Sequence, residues 1–282
     1  MDNEIKVLFE NTMKKAVRTS SFLDCGFSNN NYLINDAFVI RIPRENGDPT
    51  LDFKKEHQVY TLLEPLHICE KILTFDETNG VKISKFCHGS RKYITTPTNE
   101  QILYVAKKLK KLHSSKITLP FGYMMFHKLD VYKKGVDETL YIDKNYENRI
   151  NKEVRKIFSK TPLTICHNDL VKDNLLFKFN DVILIDWEYG SMNNPLFDLA
   201  SFVSENNLSS EQEEFFLKKY FGYKYNLIKK KRVDLFAKYQ DILFYYWGMF
   251  LYNLRHDEIY LTIANIKKNR IENEIQNLKN GN

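Results

Sequence analysis

Cys166-His167-Asn168-Asp169-Leu170-Val171-Lys172-Asp173-Asn174 is followed, past two short apolar runs, by Leu184-Ile185-Asp186-Trp187-Glu188-Tyr189. The stretch sets a carboxylate at 169, a carboxamide five positions later and a second carboxylate at 186. Leu175 to Phe179 and Val182 to Ile185 read as two strands joined by a turn at Asn180-Asp181. A hairpin of that length folds its ends together, so Asn174 and Asp186 are expected to face one site. Phosphoryl transfer uses this set of groups. One carboxylate, Asp169, accepts the proton of an attacking hydroxyl, while an amide oxygen and another carboxylate, Asn174 and Asp186, hold magnesium on the phosphates of ATP.

The H-x-D-x-x-x-x-N spacing followed by an Asp resembles that of protein-kinase-like enzymes. His167 then reads as a scaffold that hydrogen-bonds the loop, because Asp169 already supplies the base. Upstream, Gly26-Phe27-Ser28-Asn29-Asn30-Asn31-Tyr32 forms a polar turn between two extended segments. It carries a single glycine where G-x-G-x-x-G loops have three, and Ser28 and Asn29 are its candidate phosphate donors. Asn31 to Ile34 and Phe38 to Ile42 flank Asn35-Asp36 as a hairpin. Arg41, on the second of these strands, stands where protein kinases place a phosphate-clamping Lys, and a guanidinium can serve as a permanently charged fork. Glu56, in a helix expected over Leu51 to Leu63, is the acid that would hold Arg41. Taken alone, each of these charges would read as an ordinary surface residue.

The rest of the chain fits the same plan. Ile5 to Val17 has helical spacing of apolar positions, and Ile68 to Phe75 and Val81 to Phe86 complete a small antiparallel sheet with Asn79-Gly80 at the turn. Beyond Gly89 the helical period dominates, in Thr98 to His113, Tyr146 to Ser159 and from Leu208 onward. Lys116 to Asn145 reads as an irregular insertion with one or two short helices. The expected class is α+β. It is a two-lobed, protein-kinase-like fold with a small N-terminal antiparallel sheet and helix (1–88, nucleotide-binding) and a larger, mainly helical C-terminal lobe (89–282, catalytic and substrate-binding).

Composition sets bounds on partners. Forty-two Lys and Arg against 36 Asp and Glu leave an excess of six positive charges, which suits anionic nucleotides without singling out nucleic acid. The basic run Lys229-Lys230-Lys231-Arg232 reads as a solvated loop or helix start, with no aromatic side chain interleaved. Cys25, Cys69, Cys87 and Cys166 lack C-x-x-C spacing and read as reduced thiols of a cytoplasmic protein. The N-terminus shows no signal-peptide pattern, and the most apolar segment, Ile242 to Leu254, is too short to insert in a membrane. A homodimer stays open.

Ile185-Asp186-Trp187-Glu188-Tyr189, continuing through Asn193 and Phe197-Asp198-Leu199-Ala200 to Glu205, extends the likeness. With Gly26-Phe27-Ser28-Asn29 and Val39-Ile40-Arg41-Ile42-Pro43, the chain over about 20 to 260 resembles the choline/ethanolamine kinase family, bacterial choline kinases in particular, within the aminoglycoside-phosphotransferase-like group. The resemblance implies phosphorylation of the hydroxyl of choline by ATP with Mg2+. It implies Tyr189, Glu205, Trp247 and Phe250 at the substrate, with Tyr260 as a looser further wall and Asp198 as support for the catalytic loop. Phe250 departs from a Trp common in the family. A quaternary ammonium donates no hydrogen bond and is held by aromatic faces and a carboxylate, which these residue types supply, although core packing of an apolar helix would also explain Trp247 and Phe250. Ethanolamine, thiamine or an aminoglycoside are alternative acceptors. An inactive nucleotide-binding regulatory protein is disfavoured by the intact Asp169, Asn174 and Asp186, and a protein kinase by the lack of a D-F-G to A-P-E segment.

Overall fold

Ile5 and Phe9, one helical turn apart, bury the apolar face of α1 (Asn3–Met13). The helix stops four residues short of the expected Val17. Lys14 turns into the left-handed region (φ 54°), and the Val17 N–H donates to Glu10 Oε1 at 2.9 Å, which gives the departing chain a local partner. This computed structural model describes residues 3–23, 29–45 and 48–280. Compactness divides the chain into one unit of 1–108 with 169–190 and another of 109–168 with 191–282.

In the first unit, β1 (Ser20–Leu23), β2 (Asn29–Ile34), β3 (Phe38–Pro43), β4 (Ile72–Phe75) and β5 (Lys82–Lys85) form an antiparallel sheet ordered β1-β2-β3-β5-β4. Asn35 and Asp36, both left-handed (φ 53° and 51°), make the tight β2–β3 turn. The Asn35 carboxamide locks it by accepting from the Arg18 and Thr19 N–H groups and donating to Ala16 O. Ile34, Ile40 and Ile83 on one face of the sheet meet Ile5 and Phe9 of α1. Each such burial contributes about 1.5–3 kcal/mol. α2 (Phe53–Leu63) is capped by Asp52, which accepts from the Lys54 and Lys55 N–H groups. Gly80 (φ 73°) closes the β4–β5 turn, where an added Cβ would lie 2.4 Å from the Phe53 ring.

α3 (Asn99–His113) opens with a reciprocal cap: Thr98 Oγ1 accepts from the Gln101 N–H, and Gln101 Oε1 accepts from the Thr98 N–H. In the second unit follow α4 (Met125–Lys134), α5 (Lys144–Phe158) and β6 (Thr164–Cys166). Within the expected insertion lie α4 and a 3-10 turn at Glu138–Leu140. The chain re-enters the first unit as the hairpin β7 (Leu175–Lys178) and β8 (Asp181–Leu184). Its turn sits one residue earlier than expected, at Phe179-Asn180, because Lys178 pairs with Asp181 and the exposed Phe179 takes the left-handed conformation (φ 52°).

β9 (Ser191–Asn193) pairs antiparallel with β6 in the second unit. Then come α6 (Pro195–Glu205), α7 (Ser210–Phe221), α8 (Leu227–Arg255) and α9 (Glu258–Asn280). A small N-terminal antiparallel sheet with a mostly helical remainder is the α+β architecture expected. No described helix is long and apolar enough to cross a membrane.

Candidate active site

The loop that delivers Asp169 is anchored in the second unit. Asp198, fully buried in the first turn of α6, accepts from the His167 N–H at 2.9 Å and the Asn168 N–H at 2.7 Å. Asn168 is left-handed (φ 68°); its amide donates to Ser191 Oγ at 3.1 Å, and its oxygen accepts from Asn193 Nδ2 at 2.7 Å. The two residues before Asp169 therefore have no rotational freedom to spare.

In the first unit, Asn174 ends a 3-10 turn (Lys172–Asn174), and its Nδ2 donates to both Asp169 O and Asp169 Oδ2 at 2.9 Å. The Ile185 N–H donates to Asn174 O at 3.0 Å, which closes the β7–β8 hairpin and sets Asp186 beside Asn174 along the chain's return. Asp186 has φ 63°, a conformation that Asp tolerates better than most residues. Its Oδ1 accepts from Arg41 Nη1 at 3.0 Å.

Arg41, on β3, is 3% exposed and forks onto Glu56 of α2, with both nitrogen–oxygen distances at 2.7 Å. Burial works against its charge, but Glu56 and then Asp186 outweigh it and raise the guanidinium above its ordinary range. A second buried cation stands across the sheet, because Lys82 on β5 is the register partner of Arg41. Lys82 Nζ lies 3.4 Å from Glu56, 3.2 Å from Glu70 and 2.5 Å from the Tyr60 hydroxyl. Tyr60 donates to Glu70 at 2.7 Å, and its phenol is held neutral by burial and then by Glu70 and Glu56. In this five-residue network two carboxylates face two cations in a desolvated place.

Asn29 Nδ2 donates to Glu188 Oε2 at 3.1 Å; burial and then Asp186 push the Glu188 carboxyl up to about 8. The Tyr189 hydroxyl donates to Asp48 Oδ2 at 3.1 Å. Ser28 lies outside the described residues, with Gly26 and Phe27. A cavity of about 370 Å³ in this unit is walled by Arg41, Lys82, Phe86, Cys87, Asn174 and Asp186. That volume is within the range of small-molecule sites.

The remaining predicted residues sit in the second unit. Trp247, on α8, meets Tyr260 of α9 edge to face at 5.5 Å, and its Nε1–H is buried without a hydrogen-bond partner among the described residues. Phe250, one turn on, packs instead against α4, 5.6 Å from the Tyr132 ring and over Gly135. The two side chains lie one turn apart on α8, and their ring contacts run to different elements. Glu205, at the end of α6, is paired with Lys267, itself 3% exposed, and lies 3.8 Å from Arg270. Asp241 shares both cations, at 3.5 and 3.4 Å.

Residues 20–229 match the phosphotransferase enzyme family. The chain belongs to that family. The phosphotransferase is 27% identical over 239 residues to the protein LicA of Haemophilus influenzae, covering 78% of this chain and 88% of that one. Its fold is similar to that of the choline kinase LicA from Streptococcus pneumoniae (TM-score 0.82, 20% identity, 97% and 99% of the two chains). It is also similar to a choline/ethanolamine kinase family protein from Mesorhizobium loti (TM-score 0.80, 22% identity, 96% and 93%).

Lys82, Glu70, Tyr60, Asp48 and Glu188 belong to this phosphotransferase's polar centre without having been singled out in sequence. Lys82 alternates with Ile83 as a solvent-facing strand residue would, and only its register with Arg41 betrays it. Magnesium fits the donors present. Asn174 commits its nitrogen to Asp169, so its Oδ1 stays without a partner among the described residues, as does Asp186 Oδ2. Both are hard oxygen donors.

Proposed function

We propose that this phosphotransferase moves the γ-phosphoryl group of ATP onto the hydroxyl of choline, giving phosphocholine and ADP in the cytoplasm. The observation that carries the reading is the joined set in the first unit: Asn174 on Asp169 at 2.9 Å and Arg41 on Asp186 at 3.0 Å. Asp169 is the base that takes the hydroxyl proton as the oxygen attacks phosphorus in line. Arg41, held by Glu56, clamps the α and β phosphates, and Ser28 and Asn29 donate to phosphate oxygens, Asn29 from the first position of β2. Asn174 and Asp186 would hold Mg2+, which when bound neutralises phosphate charge.

Choline is favoured over a primary amine by the state of Glu205. Its carboxylate already pairs with Lys267 and neighbours Arg270 in a network that Asp241 shares, so little acceptor capacity is left for the N–H groups of a primary ammonium. A quaternary ammonium needs aromatic faces more than acceptors. Trp247 and Phe250 of the second unit supply such faces. The similarity to LicA proteins supports the same acceptor. ADP release measured in parallel with choline, ethanolamine, thiamine and kanamycin tests the reading. The highest kcat/KM is expected for choline; a higher value for ethanolamine would replace choline as the acceptor while leaving the kinase chemistry standing.

A further inference from the structure

The turn from α7 to α8, Lys218 to Arg232, carries seven cations and no carboxylate. Two of them are engaged within the second unit: Lys218 meets Glu214 at 2.8 Å, and Lys230 meets Glu213 at 2.5 Å and Asp234 at 3.4 Å. Lys219, Lys224, Lys229, Lys231 and Arg232 have no carboxylate partner among the described residues. Glu213 and Glu214, the acids that α7 brings nearest, are those already paired.

The same turn exposes large apolar side chains. Tyr223 is 95% exposed, Leu227 69% and Ile228 64%. They form one tip. Gly222 (φ 60°) ends α7, Asn226 caps α8 by accepting from the Lys229 N–H at 3.0 Å, and Lys229 Nζ lies 4.5 Å from the Phe221 ring, tying the start of α8 to the end of α7. Burial and then the like charges of Lys224 and Arg232 lower the Lys229 ammonium, which places these three cations within reach of one another.

We propose that this tip is a peripheral docking surface for an anionic lipid bilayer. Exposed aliphatic and aromatic side chains at a tip flanked by unneutralised Lys and Arg match the acyl boundary and the anionic headgroup layer together. A nucleic acid would satisfy the cations but leave Leu227 and Ile228 in water, since neither offers a stacking face. Patches of this kind on a soluble surface mark interaction sites. The surface lies apart in sequence from every residue assigned to catalysis and does not depend on which alcohol is the acceptor.

The test is sedimentation of the full chain with vesicles of phosphatidylcholine alone and of phosphatidylcholine mixed equally with phosphatidylglycerol. Binding to the mixed vesicles is expected to exceed binding to the neutral ones by about tenfold or more and to weaken as salt rises. The Lys224→Glu, Lys229→Glu, Lys231→Glu variant and the Tyr223→Ser, Leu227→Ser, Ile228→Ser variant should each lose about tenfold in vesicle binding, with turnover in lipid-free solution unchanged as the folding control. Equal binding to both vesicles overturns the proposal. So does a serine variant that still binds mixed vesicles like wild type, which would mark the tip as a general polyanion patch.

Discussion

The Asn174 carboxamide donates to the Asp169 carboxylate across 2.9 Å, so the proposed base and a candidate metal ligand are oriented by the same hydrogen bond. The carboxamide also donates to the Asp169 carbonyl, which fixes which of its ends faces away. On the proposed roles, base and metal chemistry would be coupled through Asn174, and substitutions at either end should be separable by what they change.

Asp169→Asn removes the proton acceptor and leaves Arg41, Glu56 and Asp186 in place. Turnover is expected to fall by about 10²–10⁴-fold, the usual worth of a positioned general base, with the ATP dissociation constant changed by no more than about twofold. Single-turnover kinetics beside calorimetric ATP binding checks this. Turnover near that of wild type would remove Asp169 from the base role.

Asp186→Ala should abolish productive magnesium use, and Asn174→Ala should raise the magnesium concentration needed for half-maximal activity. Asp186→Ala also strips Arg41 of one of its two acid partners, so a rise in ATP KM should accompany it. Magnesium titrations that superimpose on wild type for both variants would dissociate these residues from the metal.

The hairpin and the helix with Glu56 were legible because their signals are local. Short apolar runs bounded by turn formers give strands, and the helical period gives the helix, although its expected start at Leu51 ran two residues early because Asp52 caps it and it begins at Phe53. Asp169, Asn174 and Asp186 lie within 18 positions of one another, so spacing alone predicts their meeting. Lys82 was not legible. It reaches Arg41 only through strand register, and its partners Tyr60 and Glu70 come from a helix and from the segment before β4. The Lys267 pair with Glu205 was hidden for the same reason, since 62 residues separate partners that helix packing joins. The end of α1 at Met13 depended on one side-chain acceptor, Glu10, that competes with helix continuation.

Glu56→Gln leaves Arg41 and Lys82 buried with one carboxylate fewer. Removing one partner of a buried ion pair costs about 3–5 kcal/mol, so a lowered unfolding midpoint in denaturant is expected, together with a higher ATP KM. Arg41→Lys keeps the charge but loses the fork, and should raise ATP KM with a smaller loss of stability. Unchanged stability and ATP KM in Glu56→Gln would show that the pair holds nothing in place.

Glu205→Gln tests the ion network of the second unit. Lys267 would keep only Asp241, at 3.5 Å, as its acid partner. A stability loss of about 1–3 kcal/mol is expected from the weakened compensation of a buried ammonium, readable as a lower denaturation midpoint. The choline KM should rise less than it does when an aromatic face is removed. A large choline defect with unchanged stability would instead put Glu205 in direct contact with the substrate.

Trp247→Ala carries the acceptor assignment. A cation over a good aromatic face gains about 0.5–2 kcal/mol, so losing the indole should raise the choline KM by about tenfold. ATP parameters should hold, since Arg41, Asn174 and Asp186 belong to the other unit of the fold. Trp247→Phe keeps a ring that can still meet Tyr260, and it removes an N–H that is buried without a partner among the described residues. It should therefore recover most of the choline affinity and match or exceed wild type in stability. Ethanolamine, whose primary ammonium can turn to hydrogen-bond acceptors, should lose less than choline in Trp247→Ala. Equal losses for the two substrates, or an alanine variant whose choline KM matches that of the folded wild type, would assign Trp247 to packing alone.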